Sequence, residues 1–197
     1  MSTESALRKG NLRTLALLAG LFLLPLVAAF YAYYGTSWRP AGQANHGELI
    51  TPARALPELT LPAVTPPAQG RPLRGKWSLV YIGAGTCTAG CREALYLMRQ
   101  TRLALNTDIA RVARVFLVTG ECCALEFLAR EHAGLTVLDA SGPAAAALLR
   151  EFPAQAREHT VFVVDPLGNL MMSYDARRNP HGLLEDLQKL LRLSQIG

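Results

Sequence analysis

The segment Trp77-Ser-Leu-Val-Tyr-Ile-Gly-Ala-Gly-Thr-Cys-Thr-Ala-Gly-Cys91 contains a predicted strand, a loop and the start of a helix. Its first part, Trp77–Ile82, is a compact apolar run typical of a strand buried on both faces. Gly83–Gly90 is rich in small residues and predicts a loop that carries Cys87. From Cys91 to about Leu105 the chain has helical propensity with few helix breakers. The two cysteines therefore lie where a central strand passes into a helix.

Strands and helices continue to alternate on both sides of this segment. Upstream, Leu56–Leu61 predicts a short edge strand. Downstream, the predicted elements are a strand at Val112–Thr119, a helix at Cys122–His132, a short strand at Leu135–Asp139, a helix at Pro143–Phe152, strands at Thr160–Val164 and Leu170–Tyr174 joined by a turn, and a final helix capped by Asn179 with Pro180 at its first position. This order predicts an α/β fold with a thioredoxin-like mixed sheet flanked by helices.

The N-terminal part of the chain is apolar enough to enter a membrane. No charged residue occurs from Thr14 to Trp38, a run longer than the roughly 20 residues that span a bilayer. We therefore expect residues 14–38 to form a transmembrane anchor, residues 39–54 a tether rich in proline, and residues 55–197 the thioredoxin-like domain. A cleaved signal peptide is the alternative, because the basic start and nearby alanines suit one.

The positions of the basic residues predict the orientation of the anchor. Three cations precede the apolar run and only Arg39 follows it closely, so the positive-inside rule puts residues 1–13 in the cytoplasm and the remainder outside. In a bacterium, the anchor would lie in the inner membrane and the domain in the periplasm, where unprotected thiols tend to be oxidised.

Charge excludes one class of partner. The formal net charge is +5, but four of the 20 basic residues and one of the 15 acidic residues lie before Pro40, which leaves +2 for the rest of the chain. That part contains no basic block, so we expect no nucleic-acid binding. The basic residues beside the anchor suit anionic lipid headgroups instead.

Cys87 and Cys91 are the main candidates for chemistry. A helix N-terminus lowers the pKa of a thiol and favours the thiolate, which attacks disulfides or binds metals. Two thiolates and an imidazole suit copper(I), and of the four histidines we single out His159, because the loop before the Thr160 strand approaches the cysteine-bearing helix in this fold. A structural or redox disulfide remains the other interpretation of the pair.

These residues together resemble the SCO/SenC family of membrane-anchored copper chaperones, which help to assemble the copper centre in subunit II of cytochrome c oxidase. The resemblance rests on the anchor, on Gly75-Lys-Trp-Ser-Leu-Val-Tyr-Ile82, on the C-x-x-x-C of Cys87 and Cys91, and on Glu158-His-Thr-Val-Phe-Val-Val-Asp-Pro-Leu-Gly168. It implies that Cys87, Cys91 and His159 bind one copper(I) ion, that the partner is subunit II or another oxidase assembly factor, and that the protein is a metallochaperone rather than an enzyme.

Two features depart from that family. Arg92 replaces the proline that usually follows the second cysteine, which places a cation beside the site. Gly120-Glu-Cys-Cys123 replaces the usual Asp-rich loop. Adjacent cysteines do not easily bridge without strain, so Cys122 and Cys123 are core residues, partners for another thiol, or additional soft ligands.

Two further functions stay open. In a membrane-tethered thiol-disulfide oxidoreductase, Cys87 and Cys91 would be the redox-active pair, although that class normally has C-x-x-C and a cis-proline before the strand that Thr160 begins. A metal-free assembly scaffold with the same fold is the third interpretation, which Arg92 and the variant loop favour.

Overall fold

The computed structural model describes residues 2–35, 45–65, 72–154 and 157–197, with side chains in the first range from residue 13 onward. The chain divides into two compact units, residues 1–43 and residues 44–197. The described residues of the first unit form one helix, α1 (Ser2–Gly35). Its portion Arg13–Gly35 has 23 residues and a mean hydropathy of 2.3, and by length and composition it can cross a membrane. The last residues of the predicted anchor, 36–38, lie outside the described residues.

The second unit is built on a six-stranded mixed sheet. Its strands are β1 (Glu48–Ala55), β2 (Trp77–Gly83), β3 (Val112–Val118), β4 (Thr136–Asp139), β5 (Thr160–Val164) and β6 (Asn169–Asp175). They lie side by side in the order β1-β6-β5-β2-β3-β4. The pairs β2–β3 and β3–β4 are parallel, and the pairs β2–β5, β5–β6 and β6–β1 are antiparallel.

Helices connect the strands and cover the sheet. They are α2 (Ala89–Ala104), α3 (Leu125–Glu131), α4 (Ala146–Glu151) and α5 (Pro180–Leu193), with short 3-10 turns at Asn106–Arg111, Pro143–Ala145 and Arg157–His159. This is the thioredoxin-like mixed sheet with flanking helices that the sequence predicts.

Each face of the sheet carries its own hydrophobic core. Tyr81 and Phe116 pack with residues of α2 and α5 on one face, and Val80 and Phe162 pack with α4 on the other. All residues of β2 before Gly83 are buried, as expected for a central strand that is covered on both sides.

The edge strand lies earlier in the chain than the sequence predicts. Leu56–Leu61 forms no strand. The apolar pattern there reflects the burial of Leu56 and Leu61 in the core. The edge strand is Glu48–Ala55. Its residues 48–54 are the last part of the predicted tether, residues 39–54. Pro52 falls where the register between β1 and β6 shifts, and an edge strand tolerates a residue without an amide hydrogen at such a bulge.

Two predicted helices are shorter than expected. The helix predicted at Cys122–His132 is Leu125–Glu131, because the residues before it form a loop whose Ala124 amide donates to the Gly85 carbonyl at 2.9 Å. The helix predicted at Pro143–Phe152 begins as a 3-10 turn and continues as α4.

Candidate functional site

The C-x-x-x-C segment lies at the carboxyl end of β2. The first cysteine, Cys87, precedes helix α2 by two residues and has a φ of +51°, in the left-handed region that non-glycine residues rarely adopt. Thr88 is the N-cap of α2, and Cys91 lies in the first helical turn. The helix therefore includes one cysteine, whereas the loop holds the other.

The two cysteines are joined by a disulfide in this structure. Their Cα atoms are 5.0 Å apart, and their exposed fractions are 2% for Cys87 and 1% for Cys91. Both belong to the core on the α2 face of the sheet. In this redox form the sulfurs are covered, and reduction is required before either can act as a thiolate.

The ring of His159 packs against Gly90 of the same segment. This contact is possible because glycine has no side chain. A Cβ atom built at Gly90 would lie 2.6 Å from Cε1 and 2.8 Å from Nδ1 of the His159 ring. No real Cβ fits at such distances, so a glycine between the two cysteines leaves the space that this imidazole needs. The His159 ring thus lies against Gly90, which stands between the two cysteines in the sequence, although 72 residues separate Cys87 from His159.

Two hydrogen bonds fix the backbone that carries His159, and a third holds the side chain of the preceding Glu158. The Tyr81 hydroxyl donates to the Glu158 carbonyl at 3.0 Å, and the Ala176 amide donates to the His159 carbonyl at 2.8 Å. The Thr88 hydroxyl donates to Oε1 of Glu158 at 3.2 Å. Burial, together with the charge of Glu158, raises the pKa of Tyr81 to about 12, so that this hydroxyl stays a donor.

The imidazole itself has an unsatisfied atom. Nδ1 of His159 is buried without a hydrogen-bond partner, and Oε2 of Glu93 lies 3.5 Å from it. The side chain as a whole is 24% exposed. Nδ1 of His159 therefore lacks a hydrogen bond and lies at ion-pair distance from the carboxylate of Glu93.

Cys122 and Cys123 lie beside the loop that leads to Cys87. A Cβ at Gly85 would lie 2.8 Å from Cα of Cys122 and 3.1 Å from Sγ of Cys123. The Sγ atoms of these adjacent cysteines are in contact with each other. All four cysteines thus lie beyond the carboxyl ends of β2 and β3, where the loops after these two strands meet.

Arg92 is near the site but does not point at a sulfur. Its guanidinium lies 4.8 Å from the centre of the Phe127 ring, and its Nε donates to the Cys87 carbonyl at 3.4 Å. The cation is therefore held by an aromatic face and a backbone oxygen.

The other histidines lie elsewhere. His46 contacts Asp186 and Glu185, His132 is buried at the end of α3, and His181 is exposed at the start of α5. In the part of the chain that the structure describes, no three His, Cys, Asp or Glu side chains are grouped so that they could hold a metal ion. With both site cysteines in a disulfide, a metal site at Cys87, Cys91 and His159 stays a prediction for the reduced protein.

Sequence reasoning missed the residues that support His159. Tyr81 and Gly90 carry a signal only in retrospect, since each is an ordinary residue for a buried strand or a helix-initiating loop. A glycine one residue before a cysteine in the first helical turn is the clue that another group occupies that space.

Comparison with known proteins identifies the family. The model of the family described as "Transmembrane-like, thioredoxin-like, C-terminal domain" matches residues 77–194. The chain belongs to this family. No curated protein sequence matches the chain.

Solved structures related to this transmembrane-like, thioredoxin-like protein include Sco proteins. Yeast Sco1 with copper bound has a TM-score of 0.54 and 15% identity, over 62% of this chain and 82% of that one. Apo Sco1 of Thermus thermophilus has a TM-score of 0.54 and 19% identity, over 76% and 99%. A thioredoxin-like protein of Porphyromonas gingivalis has a TM-score of 0.52 and 15% identity, over 71% and 94%. The resemblance to Sco proteins is confirmed at the level of the fold.

Proposed function

We propose that this protein is a copper-binding assembly factor that holds one copper(I) ion on Cys87, Cys91 and His159. We further propose that it delivers the ion to, or prepares the thiols of, subunit II of cytochrome c oxidase. The observation that carries the proposal is the contact between Gly90 and the His159 ring, because it sets an imidazole against the segment that holds both cysteines.

The residues fit copper(I) once the disulfide is reduced. Two electrons from an external dithiol convert the Cys87–Cys91 disulfide into two thiols, and the N-terminus of α2 favours the thiolate of Cys91. Thiolate sulfur is the soft ligand that copper(I) prefers, and imidazole suits copper as well. Nδ1 of His159 makes no hydrogen bond, so a small shift away from Glu93, which lies 3.5 Å from this atom, would free the imidazole for a ligand.

Transfer to an acceptor would proceed by ligand exchange. Thiolates of the acceptor replace those of Cys87 and Cys91 on the ion, so no covalent bond of a small substrate is broken. Yeast Sco1 and Arabidopsis ScoI, which share the fold at TM-scores of 0.54 and 0.50, were solved with copper bound, and this likeness supports the proposed cargo.

The proposed location follows from the N-terminal helix. We place the N-terminus in the cytoplasm, α1 in the bacterial inner membrane and the thioredoxin-like domain in the periplasm. The cations before the apolar span support this orientation.

Copper binding by the full chain, reduced and handled without oxygen in detergent micelles, tests the proposal. Competition with a chromophoric copper(I) chelator gives stoichiometry and affinity. We expect about one copper per chain, loss of high-affinity binding in Cys87→Ala and Cys91→Ala, and an affinity lowered about tenfold or more in His159→Ala.

His181→Ala is the matched control, because it removes an exposed histidine outside the site. It should bind like the unaltered chain. A Cys122→Ser/Cys123→Ser double variant shows whether the second pair adds ligands. Stoichiometric copper with unchanged affinity in His159→Ala would contradict the three-ligand site.

A thiol-disulfide oxidoreductase is the second candidate function, favoured by the disulfide between Cys87 and Cys91 at the start of α2. In that case the Cys87–Cys91 disulfide would accept two electrons from a dithiol, or the reduced pair would pass them to a substrate disulfide. Turnover of insulin disulfides and the reduction potential of the pair decide the matter. If the chain shows no exchange activity, this function loses its support.

The proposed partner is tested separately by co-purification of the tagged full chain with oxidase subunit II. Recovery of subunit II that depends on Cys87 and Cys91 would support delivery or thiol preparation. Recovery that persists in Cys87→Ala and Cys91→Ala variants, without copper or exchange activity, would point to the metal-free scaffold instead.

A further inference from the structure

A basic cavity lies at the end of the sheet opposite the cysteines. It has a volume of about 400 Å³ and adjoins the first residues of the parallel strands β2, β3 and β4. Cys87 follows the other end of β2, so the cavity is separate from the candidate copper site. Four basic side chains, Arg74, Lys76, Arg102 and Arg114, line it, and none of the described residues that line it is acidic.

Arg114 is the unusual member of this group. It is 4% exposed, and its Nε and Nη1 atoms are buried without a hydrogen-bond partner. Its Nη2 donates to the Ala133 carbonyl at 2.6 Å. Burial, and then the charges of Arg102 and Arg99, lower its pKa to about 10. A guanidinium buried beside other guanidiniums without a carboxylate is costly to the folded state.

Among the described residues, the neighbouring arginines Arg74 and Arg102 donate to backbone oxygens rather than to carboxylates. Nε of Arg102 donates to the Val112 carbonyl at 2.7 Å, and Nη2 of Arg74 donates to the Leu56 carbonyl at 3.0 Å. A backbone oxygen holds each of these side chains in place but carries no full negative charge to offset that of the guanidinium.

We propose that this cavity binds a phosphate-bearing ligand. Guanidinium groups match the oxygens of phosphate and pair with them through two parallel hydrogen bonds. A phosphate monoester carries about −1.5 to −2 charges near pH 7, so it compensates a cluster of cations better than one carboxylate does. The cavity is also within the roughly 300 to 1,000 Å³ that small-molecule sites occupy. The phosphate belongs either to a soluble molecule or to a lipid headgroup.

Thermal unfolding of the full chain in phosphate-free maltoside micelles tests the proposal. Sodium phosphate is titrated at constant ionic strength against chloride, and phosphorus NMR line widths report binding directly. The unfolding midpoint Tm should rise with phosphate and reach saturation, because a ligand that binds only the folded state stabilises it. In a second arm, phosphatidylglycerol is added to the micelles, and a rise with this lipid alone identifies a headgroup as the source.

Arg114→Met removes the central charge and should weaken binding about tenfold or more, while Arg150→Met, an exposed arginine of α4, should bind normally. Lys76→Met, at an exposed position of the cavity wall, carries the test if Arg114→Met does not fold. A general salt effect acts equally on all variants. The proposal is overturned if neither phosphate nor the lipid raises Tm. It is equally overturned by an unchanged rise in Arg114→Met, or in Lys76→Met where Arg114→Met is unfolded.

Discussion

His132 is a single residue on which the acid stability of the domain should depend. It is 3% exposed, and its Nδ1 is buried without a hydrogen-bond partner. Burial, and after it the charges of Arg114 and Arg99, lower the pKa of His132 to about 4 against the opposing effect of Glu131. Between the unfolded pKa of about 6.5 and the folded value near 4, the unfolded chain binds a proton that the folded chain excludes. As the pH decreases through this window, the free energy of unfolding should therefore decrease, by about 3 kcal/mol in all.

The measurement is urea unfolding of the full chain at several pH values from 7 to 4. His132→Gln should lose most of the His132-dependent slope, because a neutral amide takes up no proton. Carboxylates titrate in the same window, so the informative quantity is the difference between variant and unaltered chain. His181→Gln, at an exposed histidine, should keep the original slope. Equal slopes in the His132→Gln variant and the unaltered chain would show that His132 is not buried in its neutral form.

The candidate site shows which single residues a sequence can and cannot reveal. Cys87, Cys91 and His159 were predicted because their side chains carry chemistry and because the fold order brings their loops together. Gly90 and Arg114 were not predicted, because their importance depends on what lies opposite them in space. An arginine at a core-facing position of the otherwise apolar strand Val112–Val118 was nevertheless a visible signal of a special site.

At the scale of elements, the contact between α2 and the turn before β5 is the one that assembles the candidate copper site. Gly90→Ala tests it. In an ordinary helix this change stabilises by up to about 1 kcal/mol. Here the new Cβ would lie 2.6 Å from Cε1 of His159, so we expect a loss of about 1 to 3 kcal/mol in the free energy of unfolding and a weaker copper affinity.

Gly142→Ala is the matched control, because a Cβ there meets nothing within 4 Å. It should be neutral or stabilising. In a His159→Ala background, Gly90→Ala should lose the part of its cost that the ring causes, whereas Cγ of Glu158, 2.9 Å from the new Cβ, remains. The double-mutant cycle gives the coupling between positions 90 and 159. Additive effects of the two changes would show that the ring does not occupy this space.

The elements themselves were predictable where a pattern had one interpretation. Trp77–Ile82 and Thr160–Val164 are continuous apolar runs, and the structure confirms both as buried strands. The prediction misplaced the edge strand. Leu56 and Leu61 pack in the core without belonging to a strand, whereas the true strand, Glu48–Ala55, contains a proline that weakens its strand pattern. Edge strands have one unpaired side, so their sequences carry a weaker pattern than central strands do.

For the whole molecule, the decisive question is which side of the membrane holds the cysteines. The described N-terminal helix has one long apolar span, and the four cysteines all lie in the unit that begins at Ala44. Cations precede the span, so we expect the C-terminus to lie outside the cytoplasm. Alkaline phosphatase fused after Gly197 should then be active in bacterial cells. Green fluorescent protein fused at the same position should be dark. The intact mass of the membrane-bound chain should correspond to 21.3 kDa. A shorter mature chain in the soluble fraction would instead establish a cleaved signal peptide. An inactive phosphatase would place the cysteines in the reducing cytoplasm, where the proposed delivery to an exported acceptor could not occur.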